Sequence, residues 1–570
     1  MSRHACTGRA RVAILCAIVA TSSLAPVGRS QQARPFRPVN DATLRAPAPD
    51  DWIAWRGTPR SEGYSPLSQI TRDNVGRLAL AWSWVMEPGT QQATPLVHDG
   101  VMYLPNPGGT LQALDGATGD LLWEYRVPVP PQTPRSTTIA RGLSLYRDKV
   151  YMSWGAEVIA VDAATGHQVW RAPAAKADQG FRLVAGPVAA HGTIVVGLSN
   201  CARFIEEKCA IVGLDADTGR EKWRTPTIPV AGQPGDETWA GVDPLYRSGT
   251  EMWISGSYDA DLNLVYWSTA QAKPWTRFAR GTDGAALYSN TVLALDPDTG
   301  RVVWHRQTLP GETHDLDEVF ESVLVDEGPR KLLFKMGKIG ILWRIDRRTG
   351  QILHATDFGL QNLVIVDPAT GAVRYREETL PKPNQPVDQC PGPGGVKNWP
   401  AMAYSPDARA LYIPFMTACS TSTFTDVEKR PGGGGLGMGP MTWYLPATSQ
   451  GKLGGLTAVD TAGTILWQRH ERAPFTTSVL ATGGGLIFVG TYDRHILALD
   501  ARNGRTLWQV RAPTSAQGFP ISYAAGGRQY VAVPVGTGGP MLDPARMETL
   551  IPDVPRPRAG NALLVFALPR

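Results

Sequence analysis

Several chemistries are missing from this sequence of 570 residues. It has six cysteines but no Cys-x-x-Cys pair and no Cys-x-x-Cys-His motif, which excludes covalent c-type haem in this chain and argues against metal binding by cysteine. The nine histidines are scattered, with neither a zinc-binding pattern nor a Ser/His/Asp spacing, so a hydrolase or lyase is disfavoured. Charged residues make up only 19%, and 18 tryptophans indicate a packed globular protein and not a disordered one.

The first thirty residues differ in character from the rest. Three arginines precede an apolar run over residues 12–20, and small residues continue to Ser30. The run is too short for a membrane span, and its charge asymmetry favours a secretory signal over residues 1–30 rather than a buried strand. We expect no transmembrane anchor in the mature chain. Removing the signal lowers the formal net charge from +5 to about +1, so no nucleic-acid partner is expected.

A short repeat dominates the remaining chain: an apolar strand, an Asp that opens a turn, a Gly, and a Trp in the next strand. Alternating apolar residues predict the strands, and the Gly can take positive φ in the turn. Such a unit cannot bury its faces alone and must stack on copies of itself, which predicts an all-β propeller. Seven copies span residues 111–123, 159–170, 212–223, 292–304, 342–354 (where His replaces Trp), 456–467 and 496–508.

The spacing of the repeat predicts the number of blades. Four of the six intervals between repeat Asp residues span 40 to 53 residues, the length of one four-stranded blade. The interval that ends at Asp296 contains a strand of the following blade, at 262–269, and a loop. The interval from Asp346 to Asp460 has room for an insertion and for a blade without the motif, beginning near Asn398.

The ends of the chain predict how the ring closes. Residues 78–84 and 562–568 are apolar and can pair within one blade, which leaves no long open sheet edge. We therefore expect an eight-bladed propeller as one domain over residues 31–570. Within the insertion, 367–375 predicts a hairpin, and the Pro/Gly-rich segments 381–395 and 431–440 predict loops on the face that carries a site.

The repeat tryptophans and the cysteines are expected to be structural. The tryptophans pack between neighbouring blades, with the ring N–H bonded to a backbone carbonyl. Four cysteines remain after loss of the signal, and in an oxidising compartment they allow three pairings, among which the spacing does not choose: Cys201, Cys209, Cys390 and Cys419.

The repeat, the opening segment 51–57 (Asp-Trp-x-x-Trp-Arg-Gly) and residues 64–67 (Tyr-Ser-Pro-Leu) together resemble the quinoprotein alcohol dehydrogenases, such as methanol dehydrogenase. The resemblance runs from about residue 51 to the C-terminus. It implies a periplasmic eight-bladed propeller that binds pyrroloquinoline quinone (PQQ) and a calcium or lanthanide ion. It also favours a disulfide between Cys390 and Cys419.

Five residues stand at positions that surround the cofactor in this family. Gln92 occupies the first site motif, where the family has Glu. Arg141 resembles the Arg that stabilises the quinone region, and Trp253 resembles the Trp that stacks under the flat cofactor. Lys338 resembles the Lys or Arg that bonds the quinone oxygens, and Asn398 resembles the Asn beside the cofactor.

The acidic segment 312–317 (Glu-Thr-His-Asp-Leu-Asp) resembles the family's Trp-Asp-x-Asp, with His314 in place of Trp. The resemblance makes Asp315 the general base, which takes the proton of the alcohol as hydride leaves for the quinone. It makes Gln271, Asp315 and Asp317 the metal ligands, and the second Asp is characteristic of members that use a lanthanide.

Two departures concern the metal. Ala202 replaces the Glu that anchors the ion in the family, and Glu206 or Glu207 is expected to substitute for it. Gln271 replaces an Asn and keeps an amide oxygen on a longer arm.

Other departures concern the cofactor and the cavity wall. Glu251 replaces a small hydroxyl residue, and Arg135-Ser136 replaces a pair of adjacent cysteines. Thr476 and Pro540 replace tryptophans, which predicts a more open cavity.

The function implied by the resemblance is oxidation of an alcohol or related hydroxyl compound by hydride transfer to PQQ. Electrons then pass to a separate soluble c-type cytochrome, because this chain carries no haem motif. The alternative is a propeller that has lost its cofactor and acts as a binding or scaffolding module, which the substituted cofactor and metal positions favour.

Overall fold

Each copy of the repeat forms the third and fourth strands of a four-stranded antiparallel sheet. The computed structural model describes residues 36–130, 139, 141–539, 542–558 and 560–570. The predicted signal, Arg135-Ser136 and Pro540 lie outside these residues. Eight sheets with the strand order of a propeller blade occur in the described part of the chain, and we number them in chain order.

The first four sheets precede the acidic segment 312–317, and sheet 4 has a gap between its second and third strands. Their strands are, in sheet 1, Leu96–His98, Val101–Asn106, Thr110–Asp115 and Leu121–Arg126; in sheet 2, Leu143–Tyr146, Lys149–Trp154, Glu157–Asp162 and Gln168–Pro173; in sheet 3, Val188–Ala190, Thr193–Gly197, Ala210–Asp215 and Glu221–Pro226; in sheet 4, Ser257–Asp259, Leu264–Ser268, Thr291–Leu295 and Val302–Gln307.

The last four sheets follow it, and sheet 8 takes one strand from near the N-terminus. Their strands are, in sheet 5, Val323–Glu327, Arg330–Met336, Ile341–Asp346 and Gln351–Asp357; in sheet 6, Ala403–Ser405, Ala410–Met416, Gly454–Asp460 and Ile465–Glu471; in sheet 7, Leu480–Thr482, Leu486–Gly490, His495–Asp500 and Thr506–Arg511; in sheet 8, Ile521–Ala525, Arg528–Val535, Ala562–Ala567 and Ala79–Val85.

Shorter elements lie outside these sheets or at their edges. The α-helices are Asp41–Arg45, Arg277–Arg280 and Pro544–Leu550; the 3-10 helices are Val75–Arg77, Ala177–Gln179, Asp236–Trp239, Pro244–Tyr246, Glu377–Thr379 and Ala447–Ser449; the strands are Tyr64–Ser65 at the edge of sheet 7, Ser248–Gly249 paired with Ala272–Lys273, Val364–Val366 paired with Val373–Tyr375, and the three-stranded set Pro386–Gln389, Cys419–Phe424 and Met438–Tyr444.

The tryptophan side chains link consecutive sheets. The ring N–H of Trp223 in sheet 3 donates to the carbonyl of Pro297 in the repeat turn of sheet 4 at 2.8 Å. Trp82 of sheet 8 donates to Gly116 of sheet 1 at 3.3 Å, so the last sheet meets the first. The structural role predicted for the repeat tryptophans is confirmed, and the same bond recurs for Trp123, Trp170, Trp304, Trp467 and Trp508.

Closure occurs as predicted, because Ala79–Val85 pairs with Ala562–Ala567. The assignment of a separate motif-free blade near Asn398 is wrong. The strands from Ala403 onward belong to the sheet that ends with the Asp460 repeat, since the motif marks only the third and fourth strands. The sheet without the motif is sheet 8. The all-β propeller is confirmed, while the number of blades stays a prediction that these eight sheets support.

The hairpin predicted within the insertion and the favoured Cys390–Cys419 disulfide are confirmed. The segments 381–395 and 431–440, predicted as loops, include the strand Pro386–Gln389 and the first residues of the strand Met438–Tyr444. Val364–Val366 and Val373–Tyr375 form the predicted hairpin. Disulfides join Cys201 to Cys209 and Cys390 to Cys419. No helix in the described residues is both long and apolar enough to cross a membrane.

Candidate active site

A cavity of about 860 Å³ opens among the segments that precede and connect the sheets. Its size lies in the upper part of the usual range for small-molecule sites, roughly 300–1,000 Å³. All eight residues matched to the family's cofactor, base and metal positions line it: Gln92, Arg141, Trp253, Gln271, Asp315, Asp317, Lys338 and Asn398. Residues that are distant in sequence, and that no repeat marks, therefore meet in one place.

Arg141, Gln92 and Trp253 form one group in the cavity wall. Arg141 Nε donates to Gln92 Oε1 at 2.7 Å, and a second guanidinium nitrogen donates to the carbonyl of Trp253. The guanidinium carbon lies 5.2 Å from the centre of the Trp253 ring. Burial lowers the pKa of Arg141 to about 9, and the group remains a cation at neutral pH. A flat aromatic surface and a desolvated cation thus face the same space.

Lys338 holds the two carboxylates of the acidic segment. Its ammonium lies 2.7 Å from Asp317 Oδ2 and 3.3 Å from Asp315 Oδ2, and it donates to the Asp315 carbonyl at 2.9 Å. Burial acts to lower the pKa of Lys338, but the two aspartates outweigh it and raise that pKa. Burial raises the pKa of Asp315 well above its ordinary value, although the Lys338 charge opposes the rise. Asp315 therefore accepts a proton more readily than an exposed aspartate does.

Gln271 joins this cluster through its amide. Its Nε2 donates to Asp315 Oδ1, and its backbone N–H donates to Asp317 Oδ1 at 3.3 Å. Its Oε1 is buried and has no hydrogen-bond partner among the described residues. An unpartnered amide oxygen beside two carboxylates is the donor set that a hard cation prefers. The predicted ligands fit a metal ion on this observation.

The cavity contains a second ion pair, between Lys273 and Glu251, which the sequence did not predict. Lys273 Nζ lies 2.8 Å from Glu251 Oε1, and both side chains are almost buried. Glu251 Oε1 also accepts from the backbone N–H of Cys201 at 2.7 Å. Burial acts to lower the pKa of Lys273, but Glu251, Asp317 and Asp315 outweigh it and raise that pKa. The sequence indicated a change here through Glu251, which stands where the family has a small hydroxyl residue.

The expected replacement for the missing metal anchor is wrong. Glu206 is exposed, and Glu207 lies 3.7 Å from Arg224; neither lines the cavity. Both belong to the short loop closed by the Cys201–Cys209 disulfide. The carboxylates that line the cavity besides Asp315 and Asp317 are those of Glu251 and Asp543.

Asn398 and its neighbour complete another part of the wall. Asn398 Nδ2 donates to the Gly394 carbonyl at 2.8 Å, and its Oδ1 accepts from the Trp399 N–H at 2.8 Å. The Trp399 ring stacks on Phe519 with ring centres 4.7 Å apart. The first of these contacts fixes Gly394, which with Pro393 brings the end of the segment 381–395 to the cavity wall.

Thr476 does not open the cavity as predicted. It is fully buried, its hydroxyl donates to the Ala516 carbonyl, and it is not among the lining residues. Sequence reasoning also missed a set of lining residues from the connection within sheet 4, from the insertion and from the C-terminal helix, which carry no repeat or family motif: Trp275, Leu436, Met438, Met441, Trp443 and Arg546.

Comparison with known proteins agrees with this geometry. A PQQ family model, described as glucose/ethanol/alcohol dehydrogenase, beta-propeller domain, matches residues 52–357 and 447–531. The chain belongs to this family. The resemblance stated from the motifs is thereby confirmed, and the protein is a PQQ-dependent alcohol dehydrogenase-like oxidoreductase.

Individual relatives place this quinoprotein among alcohol dehydrogenases. It is 30% identical to the quinohemoprotein alcohol dehydrogenase ADH IIB of Pseudomonas putida, over 93% of this chain and 79% of the relative. It is 31% identical to the dehydrogenase subunit of an alcohol dehydrogenase (quinone) of Acetobacter aceti, over 86% of this chain and 72% of that one. A solved europium-containing methanol dehydrogenase matches with a TM-score of 0.84 and 26% identity, covering 93% of this chain and all of the other.

Proposed function

We propose that this protein is a periplasmic dehydrogenase of about residues 31–570 that oxidises a hydroxyl substrate with PQQ and passes electrons to a soluble c-type cytochrome. The observation that carries the proposal is the convergence of the eight residues matched to cofactor, base and metal positions in one cavity large enough for a tricyclic cofactor and a small substrate. Export rests on the predicted signal, and the separate cytochrome on the missing haem motif in this chain.

Three residues are suited to hold the cofactor. Trp253 offers a flat ring for stacking, and Arg141, whose charge is desolvated, suits a carboxylate or quinone oxygen. Lys338 places an ammonium group with three donors between the acidic cluster and the cavity. When bound, PQQ supplies a two-electron acceptor for the hydride of the alcohol carbon.

Asp315 is suited to take the proton. Oxidation of an alcohol to a carbonyl removes one hydride from carbon and one proton from the hydroxyl, and the proton goes to an Asp315 oxygen. Burial favours the protonated carboxyl, and Lys338 keeps the carboxylate oriented through the backbone carbonyl and Oδ2. A base positioned in this way contributes about 10²- to 10⁴-fold to rate.

Gln271, Asp315 and Asp317 are the residues proposed to hold a calcium or lanthanide ion. Together they offer one amide oxygen and two carboxylates, and the amide oxygen of Gln271 has no other described partner. Such an ion would act as a Lewis acid that polarises a carbonyl of the quinone. A hard cation requires six or more oxygens, so the cofactor or water completes the set.

Reconstitution tests the proposal. The mature protein is stripped with chelator and then titrated with PQQ and calcium, or with PQQ and a light lanthanide. We expect a protein-bound quinone spectrum and alcohol-dependent dye reduction with at least one of the ions. A protein that binds no PQQ under either condition would instead be a cofactor-free binding module.

A further inference from the structure

Two segments outside the eight sheets form one wall of the cavity, and we call them the cap: strand Met438–Tyr444 and helix Pro544–Leu550. The strand contributes Met438, Met441 and Trp443 to the wall, and the helix contributes Arg546. None of these residues belongs to the repeat or to the positions that match the family motifs. The cap is therefore the part of the cavity wall that can set the identity of the substrate.

The side chain of Arg546 is held in place within this wall. Its guanidinium lies over the Trp443 ring, 4.0 Å from the ring centre. Gly394 lies beside both groups, where an added Cβ would stand 2.8 Å from Arg546 Nη1 and 3.6 Å from Trp443 Cη2. The backbone of Gly394 is fixed in turn by Asn398. The absence of a side chain at Gly394 thus leaves the space that the guanidinium occupies.

Arg546 brings positive charge to the cap, whose strand contributes mainly apolar side chains, and the carboxylate of Asp543 also lines the cavity there. Leu436 and the cap residues Met438 and Met441 line the cavity. Burial lowers the pKa of Arg546, but an arginine stays protonated at neutral pH. A carboxylate of Asp543 caps the helix by accepting from the Arg546 backbone N–H at 3.1 Å. The charges of Asp543 and, to a smaller extent, Asp315 oppose this lowering of the Arg546 pKa.

Resting on the proposed function, we propose that Arg546 binds an anionic group of the substrate, so that the preferred substrates are hydroxy acids: alcohols that carry a carboxylate. The guanidinium fork matches a carboxylate, and a partly desolvated arginine binds one more strongly than an exposed arginine does. The apolar residues of the cap suit the carbon chain that joins carboxylate and hydroxyl. In the reaction the hydroxyl carbon loses a hydride to the quinone and the hydroxyl proton goes to Asp315, while the carboxylate is unchanged.

The test compares charged and neutral substrates of equal size on the reconstituted protein. The pairs are para-(hydroxymethyl)benzoate and its amide, and gamma-hydroxybutyrate and its amide. We expect kcat/KM to be at least about tenfold higher for each acid than for its amide, as one charge-assisted hydrogen bond suffices for this.

Variants assign the preference to Arg546. Arg546→Gln is expected to lower the acid-to-amide ratio of kcat/KM by about 10- to 100-fold, and Arg546→Lys to lower it less. Arg556→Gln is the matched control. It removes an exposed positive charge whose Nη1 lies 3.7 Å from Oε1 of Glu548 in the cap helix. Because Arg556 does not line the cavity, the acid-to-amide ratio should stay as in the wild type. Binding of benzoate, which cannot be oxidised, is measured calorimetrically and should weaken in parallel for Arg546→Gln.

Each other outcome overturns the inference. Equal kcat/KM for acid and amide in a wild-type protein that turns over alcohols removes the hydroxy-acid preference and leaves the dehydrogenase intact. A preference that survives Arg546→Gln assigns it to another residue. Loss of PQQ binding in Arg546→Gln, followed by its absorbance, makes Arg546 a cofactor contact. Absence of PQQ binding by the wild type refutes the proposed function itself.

Discussion

In the repeat turns, the Asp-to-Gly segments of the seven copies, the carboxylate of Asp accepts a hydrogen bond from the backbone N–H two residues later in every copy. In the cavity, the carboxylates of Asp315, Asp317 and Glu251 instead lie against lysine ammonium groups. Side-chain hydrogen bonds from Arg348 and Arg502 lower the pKa of Asp346 and Asp500 in the turns, whereas burial raises the pKa of Asp315.

This difference in pKa distinguishes carboxylates that stabilise the fold from carboxylates that are suited to take part in the reaction. A carboxylate whose pKa is lowered is stabilised as an anion by the fold and contributes to stability at neutral pH. A carboxylate whose pKa is raised costs stability when charged, and such groups cluster where chemistry needs a proton acceptor. Substitutions in the turns should therefore change stability with little effect on each folded molecule's activity, and Asp315 should show the reverse.

The largest effect is expected for Asp315→Asn. The amide cannot accept the substrate proton, so kcat should fall by about 10³-fold, within the usual range for loss of a general base. The free energy of unfolding of the cofactor-free protein should not fall, since a buried carboxylate is replaced by a neutral group of the same size. The measurements are steady-state kinetics after reconstitution and denaturant unfolding. An undiminished kcat with PQQ bound would remove Asp315 from the role of base.

Lys273→Met tests whether the second ion pair belongs to the fold or to the site. Loss of the ammonium leaves Glu251 buried with the Cys201 N–H as its remaining described hydrogen-bond donor, and we expect a loss of about 3 kcal/mol. The double variant Lys273→Met/Glu251→Met should recover most of this loss, because no charge is left unpaired. Denaturant unfolding of the wild type, Lys273→Met, Glu251→Met and the double variant completes the double-mutant cycle. Equal stability of the single and double variants would contradict direct pairing.

Gly300→Ala breaks a repeat turn without touching the cavity. Gly300 has φ +72°, and an added Cβ would lie 2.4 Å from the Trp223 ring. We expect a loss of about 2 kcal/mol in the free energy of unfolding, from the left-handed backbone and the displaced ring together. Gly328→Ala is the matched control, because φ is +59° there but nothing lies within 4 Å of the added atom. It should cost only about 1 kcal/mol.

The repeat turns could be predicted from sequence because each is encoded within about a dozen residues. Asp115 opens its turn, Gly119 has positive φ, and the ring of Trp82 from the preceding sheet packs where a Cβ would stand. The blade without the motif was misplaced because the repeat marks only two of the four strands in a sheet. A sheet that lacks the turn, such as sheet 8, is recognised only through the pairing of its strands.

The cavity could be predicted only where a residue stands at a position that the family motifs mark. Lys273 lies in a connection between strands of sheet 4, and Arg546 in the C-terminal helix, with no period or motif to mark either. Their roles depend on tertiary contacts with Glu251 and Trp443. The position of Glu251 signalled a change in the site, but the partner that neutralises it required the structure.

Asp326→Asn should have the smallest effect and tests how pH acts on a carboxylate outside the cavity. Burial acts to raise the pKa of Asp326, but Lys331, Arg347 and Arg60 outweigh it and lower that pKa to about 2. The carboxylate therefore stabilises the fold above its ordinary pKa of 3.8, and this contribution is lost as pH falls through about 2. Because the group is partly exposed and screened, the variant should lose about 1 kcal/mol at pH 7. The difference from wild type in denaturant unfolding should shrink towards zero in acid, and the exposed-loop control Asp426→Asn should be as stable as the wild type at pH 7. A loss of unfolding free energy that persists at about pH 2 would mean that the introduced amide disturbs packing. The charge of Asp326 would then not be what stabilises sheet 5.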